Sequence, residues 1–222
     1  MDPDIRLEPV EARALGVLVE KALTTPEQYP LTLNAAVNGA NQKSNRDPVL
    51  ELSDDAVSEA LDGLIGKELA RKVFPGNSRV DKYCHTGTST LKIEIAQLAL
   101  LAELMLRGPQ TVAELRTRVE RMVDIGSQER LAELLEPLMQ RGMVQRLPSG
   151  RGFRAERLAQ LLCPDLHPLD APTGGAAPAL DGMPAPTRAA LADRVDTLEA
   201  TVRRLEQQLR SLAEKLGESL EG

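Results

Sequence analysis

Aromatic side chains are nearly missing from this chain, which has no tryptophan, two tyrosines and two phenylalanines among its 222 residues. Its cores must therefore be assembled from Leu, Val, Ile, Met and Ala, aliphatic units that suit packed helices. Cysteine is scarce too. Cys84 and Cys163 stand far apart with no secretory context beside them, which excludes a disulfide framework and leaves two inert thiols as the expectation. Long hydrophobic runs are also lacking. The most apolar segment, Ile95 to Leu106, is interrupted by Gln97 and Glu103 and falls short of the ~20 residues a bilayer requires, so it reads as a core helix. The start, Met1-Asp2-Pro3-Asp4, has neither the basic residues nor the apolar stretch of a signal peptide, so a cytoplasmic, membrane-free protein is expected. A net charge of -6 argues against coating nucleic acid through bulk charge.

Hydrophobic spacing predicts a first helix from about Glu8 to Leu23, with Leu15, Leu18, Val19 and Ala22 inward and Glu11, Arg13, Glu20 and Lys21 facing away. TTPEQYP breaks it. A second helix starts at the cap Thr32 and buries Leu33, Ala36 and Val37; after the polar loop NQKSNRDP, a third opens at the cap Ser53 and buries Val57, Leu61, Leu64 and Ile65. Extended runs at Ala70 to Phe74 and Arg79 to Cys84 flank the turn formers Gly76, Asn77 and Ser78, as in a hairpin.

The same order then returns. Lys92 to Leu106 reads as a helix ended by Gly108 and Pro109, Thr111 and Ser127 cap two more, and Met143 to Leu147, PSGRG and Phe153 onward form a second hairpin. LDGLIGKELARKV from Leu61 and LEPLMQRGMVQRL from Leu135 align without a gap, although Pro137 is expected to bend or shorten its helix. The Lys92 helix carries apolar residues on two faces, so it is expected to pack against both halves. The fold class is thus mainly α with small β-hairpins: one winged-helix domain over residues 5–90, a second over 91–163, then a Pro/Gly/Ala linker over 164–186. In residues 187–217, Leu191, Val195, Leu198, Val202, Leu205, Leu209, Leu212 and Leu216 alternate at four and three, the pattern of a coiled-coil helix that makes a parallel homodimer.

Catalytic chemistry has no visible carrier. There is no Gly-rich phosphate loop and no metal-ligand spacing, and neither His85 nor His167 has a nucleophile arranged beside it, so no cofactor, metal, small-molecule substrate or enzymatic activity is expected. Cys84 and His85 are adjacent, but on a strand they point to opposite faces. A winged helix invites a DNA reading, with its third helix in the major groove. Here that helix presents Asp54, Asp55, Ser58, Glu59 and Asp62, which would bring carboxylates towards phosphates. Cations gather elsewhere, and the candidate contacts to a partner or to nucleic acid are Lys43, Asn45 and Arg46 in the NQKSNRDP loop, Arg71, Lys72, Arg79 and Lys82 on the first hairpin, and Arg116, Arg118, Arg151 and Arg154 in the second half. The NQKSNRDP amides and hydroxyl either read a partner or cap their own helix ends, and the residues alone do not decide between these.

The segment KALTTPEQYPLTLNAAVNGANQKSNRDPVLELSD, continued through DGLIGKEL to VDKY, resembles the YceH-like family of bacterial proteins. The resemblance covers roughly residues 5 to 163 and is most specific in PEQYPLT and NQKSNRDP. It implies a tandem winged-helix fold and no catalytic residues, since the family has no established function. The expectation is therefore a non-enzymatic interaction or scaffold module with an unidentified protein partner; the alternative is a DNA-binding regulator that touches phosphates through its wings and Arg-rich second half.

Overall fold

The computed structural model describes residues 5–74, 80–149 and 155–167. It is mainly helical with small antiparallel sheets. Helix α1 (Pro9–Thr24) is followed by strand β1 (Leu31–Thr32), helix α2 (Leu33–Ala40), helix α3 (Asp54–Gly66) and strands β2 (Ala70–Val73) and β3 (Lys82–His85). A short helix α4 (Gly87–Leu91) leads to α5 (Ile95–Arg107), α6 (Val112–Val119), α7 (Gln128–Gln140) and strands β4 (Val144–Leu147) and β5 (Arg157–Gln160).

Local chemistry sets the helix starts. Thr32, Ser53, Thr111 and Ser127 each accept a hydrogen bond from the backbone N–H three residues on, satisfying a donor that the first turn leaves orphaned. The element order repeats down to single residues. The α3–β2 unit and the α7–β4 unit have the same lengths and spacing, and the residue that bridges helix to strand has positive φ in both, Glu68 at 58° and Gly142 at 69°. The first sheet has the order β1-β3-β2, in which Leu31 pairs with Tyr83. In the second half the counterpart of β1 has shrunk to one bridge, Gln110 with Leu158, on the edge of the β4-β5 pair.

Two helices lie at the centre. In α1 every residue from Glu11 to Glu20 is buried, and in α5 every residue from Gln97 to Leu106. They approach closely at Gly16, where a Cβ would stand 2.9 Å from Leu106 Cγ. On its other flanks α1 meets α2 and α3, while α5 meets α6, α7 and β5. One aliphatic core therefore runs through both halves, and each fully buried Leu contributes about 2 kcal/mol. Main-chain bonds Leu7 N–H to Leu162 O (2.8 Å) and Asp47 N–H to Leu106 O (2.9 Å) add ties between segments distant in sequence.

Several expectations change. Glu11, Arg13 and Glu20 do not face away from the core; all three are buried, because α1 is surrounded and has no solvent face at those positions. The fifth helix begins at Ile95 and not at Lys92, which adopts a left-handed conformation (φ 51°) between α4 and α5. Pro137 does not shorten α7, which matches α3 at 13 residues. The missing N–H opposes the carbonyl of Glu133, a residue on the exposed side. Strand β5 starts at Arg157, later than the Phe153 onset expected. The expected linker start is also displaced, since Pro164–Leu166 form a 3-10 turn that buries Leu166 and His167. The rest of the linker and the heptad residues Leu191, Val195, Leu198, Val202, Leu205, Leu209, Leu212 and Leu216 lie outside the described residues.

Candidate functional site

Burying charged residues in a helix is costly unless each is paired and hydrogen-bonded, and α1 meets that condition at both ends. Near its start, Glu11 takes both hydrogen bonds of Lys67 Nζ at 2.5 Å. In the middle, Arg13 donates to the carbonyls of Ala40 (3.3 Å) and Pro48 (2.7 Å). Burial, then repulsion by Arg46, pushes the Arg13 pKa down to about 10. Towards its end, Glu20 accepts from Arg46 Nη2 at 2.5 Å and Nη1 at 3.2 Å, and from Arg121 Nη1 at 2.6 Å. Burial alone would raise the Glu20 pKa; the hydrogen bonds and charges of Arg46 and Arg121 outweigh it and hold the carboxyl below its ordinary value.

Arg121 extends the chain of contacts by donating through Nη2 to Glu103 Oε2 of α5 at 2.9 Å. Arg107 Nε stands 3.7 Å from Glu103 Oε1, an ion pair too long for a hydrogen bond, and that oxygen has no hydrogen-bond partner among the described residues. Arg107 Nη1 donates instead to Asn45 Oδ1 at 2.7 Å, and Arg118 Nη1 to Gln110 Oε1 at 2.8 Å. A polar seam thus runs from α1 through the NQKSNRDP loop to α5, α6 and the turn after it. Of its members, Arg13 and Glu20 were expected on the solvent side, Arg121 was read only as one of the cations gathered in the second half, and Arg107 was not singled out from sequence. One signal was there: Glu103 is a carboxylate inside the most apolar run of the chain.

The seam decides the role of the loop at most positions. Arg46 is buried and spent on Glu20, Gly39 O, Asn45 O and Gln42 Oε1, so it cannot be the exposed partner contact expected of it. Asn41 caps locally, exchanging both amide bonds with the backbone of Leu52 at 2.8 Å. The carbonyl of Asp47 receives His167 Nε2. Lys43 and Asn45 stay exposed.

The other candidates are dispersed. On the first hairpin, Arg71 is exposed with Nε 3.2 Å from Cys84 Sγ, Lys82 is half-buried, and Lys72 is paired with Asp62 at 3.0 Å and lies 5.6 Å over the Tyr83 ring. Arg116 donates to Gly126 O at 2.7 Å. Arg79, Arg151 and Arg154 lie outside the described residues. Asp54, Asp55, Glu59 and Asp62 do form the exposed face of α3, with Ser58 half-buried among them. On the hairpin, whose Lys72 reaches Asp62 of that face, Phe74 is 73% exposed and Val80 55% exposed, on either side of residues 75–79 in the chain. The equivalent position after β4 is Pro148, so only the first half shows an aromatic there.

Among the described residues no helix is long and apolar enough to cross a membrane, and no group of three or more His, Cys, Asp or Glu side chains is placed to hold a metal ion. A cleft of about 270 Å³ lies between Ile5, Leu91, Met143 and Leu162, and one of about 480 Å³, within the size range of ordinary ligand pockets, is lined by Val112, Arg116, Glu120 and Gln128.

Comparison with known proteins gives one family. Residues 7–152 match the family described as "Protein of unknown function, DUF480". A UPF0502 protein of Geotalea daltonii is 52% identical over 160 residues, covering 71% of this chain and 73% of that protein. A UPF0502 protein of Aeromonas hydrophila is 41% identical over 224 residues, covering 99% of this chain and all of that one. The UPF0502 protein YceH of Salmonella arizonae is 39% identical over 219 residues, covering 96% and 98%. The resemblance carried by PEQYPLT and NQKSNRDP is borne out.

Proposed function

We propose that this chain, which belongs to the UPF0502 (DUF480) family of unknown function, is a tandem winged-helix module that binds a protein partner through its first hairpin and α3. The observation that carries the reading is Phe74. A chain with two phenylalanines and no tryptophan leaves one of them 73% exposed at the end of the strand whose Lys72 reaches Asp62 of a carboxylate-rich helix face. Aromatic side chains anchor protein interfaces because they fill a partner's pocket at little entropic cost. The winged-helix assignment rests on the doubled order of helix, short strand, helix, helix and hairpin, with the Gln110–Leu158 bridge as the second copy of the short strand. The partner surface has an apolar socket with basic residues around it, complementary to Phe74 and to Asp54, Asp55, Glu59 and Asp62.

A DNA-binding regulator that touches phosphates through its wings and Arg-rich second half is the weaker proposal, since Lys72 of the first hairpin is paired with Asp62, Arg46 is buried and the α3 carboxylates would repel phosphates. The heptads of residues 187–217 would join two such modules. Affinity purification from nuclease-treated lysate, followed by mass spectrometry, tests the main reading. Wild type retains a protein partner that a Phe74→Ser variant of unchanged melting temperature loses. Enrichment of specific DNA with no protein partner overturns it. Light scattering on the full chain and on a truncation after His167 tests the dimer, and a monomer in both refutes it.

A further inference from the structure

The cleft of about 270 Å³ is the negative of the exposed hairpin end in both shape and charge. It opens where the start of the chain, the end of α4, the turn between α7 and β4 and the segment after β5 meet. Its apolar walls, Ile5, Leu91, Met143 and Leu162, are framed by main-chain bonds from Leu7 N–H to Leu162 O and from Leu161 N–H to Met143 O, each at 2.8 Å. Two guanidinium groups complete the lining. Arg141 Nη2 donates to Leu91 O at 2.6 Å, and Arg6 Nη1 to Leu161 O at 3.3 Å. Arg6 is exposed and faces no carboxylate among the described residues, and a carbonyl orients its charge without cancelling it. A cavity of about 150 Å³ is enough to hold benzene, so this cleft has room for a phenyl ring.

Phe74 cannot fill the cleft of its own chain. Thr90, which also lines the cleft, donates to the carbonyl of Glu68, just before β2. From there β2 runs back along β3, away from α4, and carries the chain about 13 Å before Phe74 is reached. We propose that the cleft of one chain receives Phe74 of a second copy. The inference rests on the reading of Phe74 as an interface anchor and names the partner as this same chain. The apolar walls take the ring, as buried aromatic anchors require. Arg6 at the edge meets the α3 carboxylates, which the 3.0 Å pair of Lys72 with Asp62 ties to the Phe74 strand. Because ring and cleft are different patches, the contact is head-to-tail. It does not close a two-fold dimer and extends into rings or open chains as concentration rises.

Sedimentation velocity of the full chain over a concentration series reads the contact. The weight-average mass is expected to keep rising with concentration, and the association to weaken about tenfold or more in Phe74→Ser and in Arg6→Glu, with no change in Arg116→Gln. Mixing separates a head-to-tail contact from a two-fold one. Phe74→Ser keeps its cleft and Ile5→Asp keeps its ring, so neither associates in this way alone, whereas their mixture regains one contact per pair. Circular dichroism melts identify a variant that fails to fold, and the exposed Arg6→Glu replaces Ile5→Asp in the mixture if that one does. No rise in mass up to millimolar concentration, association indifferent to Phe74→Ser, or a mixture that regains nothing overturns the proposal. Loss of a lysate partner in Phe74→Ser without self-association removes this inference and leaves the hairpin as a surface for another protein. Phe74-dependent self-association with no lysate partner supports it and makes the second copy the partner.

Discussion

Glu20→Gln isolates the energetic weight of the seam. Gln keeps the shape of Glu20 and one acceptor oxygen, but it removes the charge that faces Arg46, whose side chain is fully buried, and it turns an amide N–H₂ towards donors. Breaking a buried ion pair by removing one partner costs ~3–5 kcal/mol. The lower end applies, because Arg46 keeps the acceptors Gly39 O, Asn45 O and Gln42 Oε1. A loss of about 3 kcal/mol with a urea slope of about 2 kcal/mol/M moves the unfolding midpoint down by about 1.5 M. The pH dependence supplies an independent check. The folded-state pKa of Glu20 is depressed, so its contribution is complete above the ordinary glutamate pKa and is lost as pH falls through the folded value. The gap between wild type and Glu20→Gln must therefore be full at neutral pH and close in acid. A midpoint shift below about 0.3 M at neutral pH, or a gap that does not narrow in acid, refutes the reasoning.

Gly39→Ala would place a Cβ 2.5 Å from Val17 Cγ1, a side chain with no room to yield, and should destabilise by ~1–3 kcal/mol, read as a lower melting temperature. Glu68→Gly should stabilise by up to about 1 kcal/mol in urea melts, because Glu68 holds a left-handed conformation (φ 58°) that its counterpart Gly142 adopts freely. Burial depresses the pKa of His167, and the folded chain refuses a proton that the unfolded chain accepts. Stability is then complete above the ordinary histidine range and falls as pH drops through it; His167→Gln should reduce that slope, but not abolish it, because His85 is depressed in the same way.

The parts of the fold set by neighbours in sequence were legible. Thr32, Ser53, Thr111 and Ser127 could be read as caps because each bonds three residues along, and the repeat could be read because both copies need the same caps and apolar spacing. Strand β1 was not legible: two residues carry no alternation, and their pairing depends on β3, some fifty positions away. The exposed α3 carboxylates were read correctly, since a helix with one solvent face obeys the amphipathic rule. The same rule misplaced Glu11, Arg13 and Glu20.

That failure follows from the architecture. The amphipathic rule assigns polar residues to water by assuming that one side of a helix is free, and a helix enclosed by α2, α3 and α5 has no such side along Glu11 to Glu20. Its polar positions must meet other polar groups, and the elements around α1 supply them one at a time: Lys67 after α3, the Ala40 and Pro48 carbonyls beside α2, Arg46 in the loop and Arg121 from the second half. The NQKSNRDP loop is polar in composition yet largely interior in role, because it lies where α1 and α5 need partners for charges they carry into the core. Of its exposed residues, Asn45 is tied to α5 by the hydrogen bond it accepts from Arg107, while Lys43 makes no inward contact among the described residues and belongs to the loop's solvent side.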